Sequence, residues 1–86
     1  MAVLVRMTAA GMDAAMYDQA STQLGELVKK QPGFMMHVAY PIPGGFSVGE
    51  VWASQGQFET WFNENVKPNV PGVQHEVIDL HAVVQP

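Results

Sequence analysis

FMMHVAYPIPGGFSVGEVWAS, residues 34–54, is the stretch from which the rest of the chain is read. Two β-rich runs, 34–40 and 46–54, flank Pro41-Ile42-Pro43-Gly44-Gly45, and two strands around a short Pro/Gly turn make a β-hairpin. In the second run Phe46, Val48, Val51 and Trp52 are strand formers, yet Glu50 stands among them. Only 14% of the residues are charged, so a carboxylate placed there asks for a reason.

Upstream of the hairpin, AVLVRMTA (2–9) is short and β-branched, a strand with Val3, Val5 and Met7 on one face and Leu4, Arg6 and Thr8 on the other. Asp13 is a plausible N-cap. From there to Lys30 the apolar residues Met16, Ala20, Leu24, Leu27 and Val28 recur at the helical period, with Gly25 a weak point in the run. Lys29-Lys30 suits a helix C-terminus, and Gln31-Pro32-Gly33 stops it.

Downstream, Ser54-Gln55-Gly56-Gln57 has the spacing of a capping box, so a second helix starts at Gln55. Phe58, Trp61, Phe62 and Val66 form its apolar stripe, and Lys67-Pro68 ends it. From Gln74 to Val84 the alternation of a strand returns. Ile78, Leu80, Ala82 and Val84 lie on one face, and His75, Val77, Asp79, His81 and Val83 on the other. The order β-α-β-β-α-β is that of the ferredoxin-like α+β fold: a four-stranded antiparallel sheet with both helices on one face. On the opposite face Leu4, Val51, Ala53, Val77 and Val83 are too apolar to leave wet, which predicts a homodimer packed sheet face to sheet face.

Composition narrows the function. Eighty-six residues make one domain with a modest core, a size that favours support from a partner. Cysteine is absent, which removes disulfides, thiolate catalysis and cysteine-held metals. No apolar run reaches the length of a membrane span, and the N-terminal Met1–Val5 run has no basic leader before it, so a cytoplasmic location is the default. Four Lys/Arg against eight Asp/Glu give a net charge of −4, with the cations scattered. Nucleic acid and anionic membrane are therefore poor partners, and a small aromatic or apolar molecule fits better.

The segment 33–70 resembles the dimeric α+β barrel proteins of the antibiotic biosynthesis monooxygenase superfamily. The matching residues are Gly33, Phe34, His37, Ala39, Gly44, Gly45, Phe46, Val48, Glu50, Val51, Trp52, Ser54, Phe58, Phe62 and Pro68. The resemblance implies a pocket in each subunit between the sheet and the second helix, with Trp52 on its wall. Haem-degrading relatives pair that tryptophan with an asparagine on the first strand and a histidine late in the second helix. Here Val5 stands at the asparagine position and 63–70 holds no histidine, which argues against haem breakdown.

Glu50 and Trp52 are two apart on a strand and share a face. If Trp52 faces the helices, so does Glu50, inside a mostly apolar pocket. Desolvation there favours the protonated carboxyl and suits it to proton transfer, unless a cation or hydrogen bonds hold it ionised. The alternative is a structural carboxylate satisfied by backbone or Tyr40. His37 is the natural partner: a four-residue turn between Pro41 and Phe46 sets it opposite Glu50, whereas a three-residue turn sets Met36 there. A Glu–His pair would hold one imidazole tautomer and leave the other nitrogen as a base. Glu50 and His37 are thus the catalytic candidates, with Trp52, Phe62, Phe58, Met36 and Tyr40 as the substrate-binding set. His75, Asp79 and His81 share a strand face, but at roughly 6.6 Å per two residues His75 and His81 are too far apart for one ion. No metal site is expected, and hydrogen bonding at a dimer rim suits these residues better.

Three functions follow. A cofactor-independent monooxygenase of a phenol, quinol or polyketide-like substrate needs no metal or flavin, because the deprotonated substrate itself supplies the electron to oxygen. An oxygen-independent isomerase or cyclase would use the same base. A small-ligand-binding dimer without catalysis would use neither.

Overall fold

The computed structural model describes all 86 residues and carries the elements in the order β-α-β-β-α-β. Strands β1 (Val3–Ala10), β2 (Phe34–Ile42), β3 (Gly45–Trp52) and β4 (Gln74–Asp79) form one antiparallel sheet in the order β2-β3-β1-β4. Helix α1 (Ala14–Val28) joins β1 to β2, and α2 (Gln55–Trp61) follows β3. This is the ferredoxin-like α+β fold expected from the periodicity.

Side chains directly paired across antiparallel strands share a face. Val3, Val5 and Met7 of β1 are buried beneath the helices, so Trp52, Glu50 and Val48 of β3 and Asp79, Val77 and His75 of β4 lie on that same side. α2 closes the core with Phe58 and Trp61, and the turn after it adds Phe62 and Val66. Burying each large apolar side chain contributes about 2 kcal/mol, so this helix is well anchored. α1 buries only Val28. A cavity separates the rest of it from the sheet.

The hairpin is tighter than the sequence required. Ile42 pairs with Gly45, leaving Pro43-Gly44 as the tip, with Gly44 at φ 76° in the region that a Pro-Gly type II turn demands of its second residue. The resulting register places His37 opposite Glu50 and excludes Met36 from that position. A bulge between Phe34 and Met36 then returns Phe34 to the core side, where its ring meets Trp52 edge-on at 5.5 Å.

Five expectations are corrected. On α1 the inward line is Tyr17, Ala20, Ser21, Leu24, Gly25 and Val28, while Met16 and Leu27 are exposed, because polar and small residues occupy the line that the larger apolar ones suggested. The second helix does not stop at Lys67-Pro68. It passes through a π-helical turn (Phe62–Val66) into α3 (Lys67–Asn69), and the wider turn eases the opposition between the Pro68 ring and the carbonyl four residues back.

β4 ends at Asp79 rather than Val84, because β1 begins at Val3 opposite Asp79 and only one further bond, Leu80 N–H to Ala2 O at 2.9 Å, can form. His81, Ala82, Val83 and Val84 therefore lie beyond the sheet. Finally, Val77 pairs with Val5 and faces the helices, so the outer face carries Ile78 beside Leu4 in its place. The predicted capping box is half formed: Ser54 Oγ accepts the Gln57 N–H at 3.3 Å, but the Gln57 side chain takes the serine hydroxyl instead of returning to the backbone.

Candidate active site

Glu50 is 3% exposed, on the helix side of a central strand. A buried carboxylate is tolerable only when its oxygens are met by donors. Trp52 Nε1–H donates to Oε1 at 3.0 Å, and His37 Nδ1 lies 2.6 Å from Oε2. Sequence accounts for both contacts. Trp52 is two residues along the same strand, and the Pro43-Gly44 turn fixes His37 directly across the ladder.

A third group completes the line. The Tyr17 hydroxyl lies 2.7 Å from His37 Nε2, delivered from the first turns of α1, which Asp13 caps by accepting the Met16 N–H at 2.9 Å. The Tyr17 ring is stacked on Phe46 at 5.5 Å between centroids and on His37 at 6.1 Å. With Glu50 ionised and His37 neutral, Nδ1–H donates to the carboxylate and Nε2 accepts the phenolic O–H. In that tautomer the basic nitrogen is turned away from Glu50. Tyr17 was missed from sequence, although it lies three residues before Ala20 and seven before Leu24, on their helical line.

Tyr17, His37 and Glu50 all border the cavity beneath α1, which encloses about 420 Å³. Met7, Leu24, Val28, Phe46 and Val48 make most of its wall apolar, and Trp61, Val66 and Val70 close it from the second helix. The pocket implied by the family resemblance thus extends further than the second helix. It lies between the sheet and both helices, with α1 standing off over it and Trp61 of the second helix on its wall.

Of the residues read from sequence, Glu50, His37 and Met36 border this cavity. Trp52 does not: it is completely buried between Phe34 and Phe58 and touches the site only through its N–H to Glu50. Phe58 is likewise core, and Phe62 packs against His75 with centroids 4.5 Å apart. Tyr40 pairs with Ser47 on the outer face of the sheet, where it cannot reach Glu50. These four are withdrawn from the cavity lining. His75 lies against Phe58 and Phe62 on the helix side, away from the outer-face rim assigned to it.

No family model matches the chain, and no curated protein matches it in sequence. Solved structures do. SnoaB, a cofactor-independent oxygenase from Streptomyces nogalater, superposes with a TM-score of 0.69 at 12% identity, over 99% of this chain and 97% of that one. Rv0793 from Mycobacterium tuberculosis gives 0.77 at 11% identity, over 99% and 100%. The haem-degrading protein Rv3592 from the same organism gives 0.69 at 18%, over 99% and 98%. The chain therefore has the fold of these proteins, at identities that carry the fold and nothing finer. No helix is long and apolar enough to cross a membrane.

Proposed function

We propose that the chain is a cofactor-independent monooxygenase of a small, flat substrate with an ionisable hydroxyl, a quinol or polyketide-like ring system. The observation that carries this reading is the hydrogen-bonded line Trp52–Glu50–His37–Tyr17 on the wall of an apolar cavity. A carboxylate held on one imidazole nitrogen makes the other a better base and stabilises the imidazolium once the proton has moved. His37 is that base, Glu50 orients it, and Tyr17 passes the proton or yields its place to the substrate hydroxyl.

The substrate anion then gives one electron to dioxygen, and the two radicals recombine at the activated carbon. Where that carbon is a ring methylene it becomes a carbonyl, the second oxygen atom leaves as water, and both hydrogens of the water come from the substrate. The reaction needs no flavin or metal, since the substrate is the reductant. The apolar wall leaves room for a ring system to stack.

The functional particle is a homodimer joined through the outer sheet faces. Leu4, Val38, Val51 and Ile78 make that face apolar, and a second copy presents the same surface to it.

Oxygen uptake with a panel of quinols, measured aerobically and in anaerobic controls, tests the activity. Oxygen-dependent turnover by the wild type, lost in His37→Ala and reduced in Glu50→Gln, is expected. Full activity in the double variant, or no oxygen-dependent turnover at all, removes the proposal. Product formed without oxygen would point to the isomerase or cyclase, and tight binding without turnover to the ligand-binding dimer.

A further inference from the structure

Helix α1 lays a second line over the cavity, beside its apolar one. Tyr17, Ser21, Gly25 and the C-cap Lys29 follow one another at four-residue steps, and all four border the cavity. Residues so spaced lie one above another on a helix face, about 6 Å per step. Packing does not call for this line. The half-buried Ser21 hydroxyl makes no hydrogen bond within the protein, whereas those of Thr22 and Thr60 each bond the carbonyl four residues back, at 3.0 and 3.1 Å. Trp61 Nε1 is the one fully buried side-chain polar atom without a partner, so Ser21 Oγ, also unpartnered, keeps accessible surface. Gly25 puts no side chain between Ser21 and Lys29, and a β-carbon there would have only Ser21 Oγ within 4 Å. Of the four Lys/Arg in the chain, Lys29 alone borders the cavity.

We propose that Ser21 and Lys29 are specificity residues for a hydroxyaryl carboxylate, which lies along Gly25 with its acid group on Lys29 Nζ and its ring hydroxyl on Ser21 Oγ. The inference rests on reading the cavity as the ligand site and adds the acid group to what enters it. The cavity is electrically polarised along α1. Glu50 stands behind His37 at the Tyr17 end, and Lys29 is three helical steps away, about 18 Å along the axis. An acidic ligand is repelled from the first and drawn to the second, so its carboxylate settles at Lys29 and its hydroxyl toward Tyr17 and His37. Ser21 and Lys29 are about 12 Å apart along the helix, and the lysine leans back toward Glu26, a span that suits a two-ring system with its polar groups at opposite ends. The Lys29–Glu26 pair at 3.2 Å is exposed and of little energetic weight, so the ammonium exchanges one carboxylate for another at small cost. A neutral ligand of the same shape keeps the Ser21 bond and forgoes the ammonium.

Isothermal titration calorimetry with 6-hydroxy-2-naphthoate and its neutral amide, 6-hydroxy-2-naphthamide, tests both residues. The acid should bind the wild type about fivefold tighter than the amide at low salt, an advantage that shrinks as salt is raised. Lys29→Gln should remove that advantage, weakening the acid about fivefold and leaving the amide within about twofold. Lys30→Gln, at the exposed neighbour off the cavity line, should leave both probes within about twofold. Ser21→Ala should weaken acid and amide alike, by about threefold, because both carry the ring hydroxyl.

Equal affinity of the wild type for acid and amide, equal effects of Lys29→Gln and Lys30→Gln on the acid, wild-type affinities in Ser21→Ala, or failure of the acid to bind each overturns the inference. The wild-type comparison of acid with amide answers even if a variant folds poorly. Preference for the acid, lost in Lys29→Gln, without oxygen-dependent turnover would keep this assignment and reject the monooxygenase, while turnover of quinols with equal affinities for acid and amide would do the reverse.

Discussion

Two donors converge on Glu50, so removing its carboxylate strands both. Glu50→Ala leaves Trp52 Nε1–H and His37 buried or half-buried without their acceptor. A loss of about 3 kcal/mol in urea unfolding is expected, from two unmet groups at roughly 1–3 kcal/mol each. Glu50→Gln should lose less than half of that, since an amide oxygen still accepts one bond. Tyr17→Phe is the complementary change. Its hydroxyl has a single partner in a part-buried position, so stability should fall by about 1 kcal/mol or less, while oxygen-dependent turnover drops by about tenfold or more if the phenol carries the proton. The carboxylate was legible as a candidate because it broke the pattern of an apolar strand. Its partner His37 depended on turn length, which composition left open between two registers. Tyr17 escaped because a tyrosine on a helix resembles any other amphipathic residue until the sheet opposite is known, and the indole of Trp52 was mistaken for wall when it serves as a brace.

At the scale of elements, the two helices differ more than their sequences suggested. The second was read correctly along Phe58, Trp61, Phe62 and Val66, because four large residues at helical spacing leave one face to bury. The first was read correctly at Ala20, Leu24 and Val28 but not at Met16 and Leu27, since its inward line is completed by Tyr17, Ser21 and Gly25. Gly25, a weakness when seen alone, borders the cavity, and a β-carbon there would meet only Ser21 Oγ at 3.4 Å, an ordinary contact. Gly25→Ala should therefore raise stability by up to about 1 kcal/mol through helix propensity, read as a melting temperature several degrees higher. The added methyl should also narrow the cavity and weaken any ligand that fills it. The turn after α1 has no such latitude. Gly33 has φ 85° and a β-carbon there would collide with the Gln57 side chain, so alanine at 33 strains backbone and packing together.

For the whole molecule, strand order and hairpin followed from periodicity and Pro/Gly placement, which are local. The extent of β4 did not, because where a strand ends depends on where its neighbour begins. The outer sheet face carries Leu4, Val38, Val51 and Ile78 with an exposed Arg6–Glu76 pair at 3.3 Å, a contact of little energetic weight. Sedimentation velocity should give the mass of two 9.4 kDa chains for the wild type, and Val51→Asp, placing a charge at the middle of that face, should give one. The loose seating of α1 has a consequence of another kind. A helix that buries Val28, packs Leu24 at the core's edge and otherwise borders a cavity gains interior contacts from whatever binds there. Trypsin should cut after Lys29 or Lys30 readily in the empty protein and slowly in one saturated with 1,4-naphthoquinone. The lifetime of the molecule would then be set by its cargo as much as by its own chain.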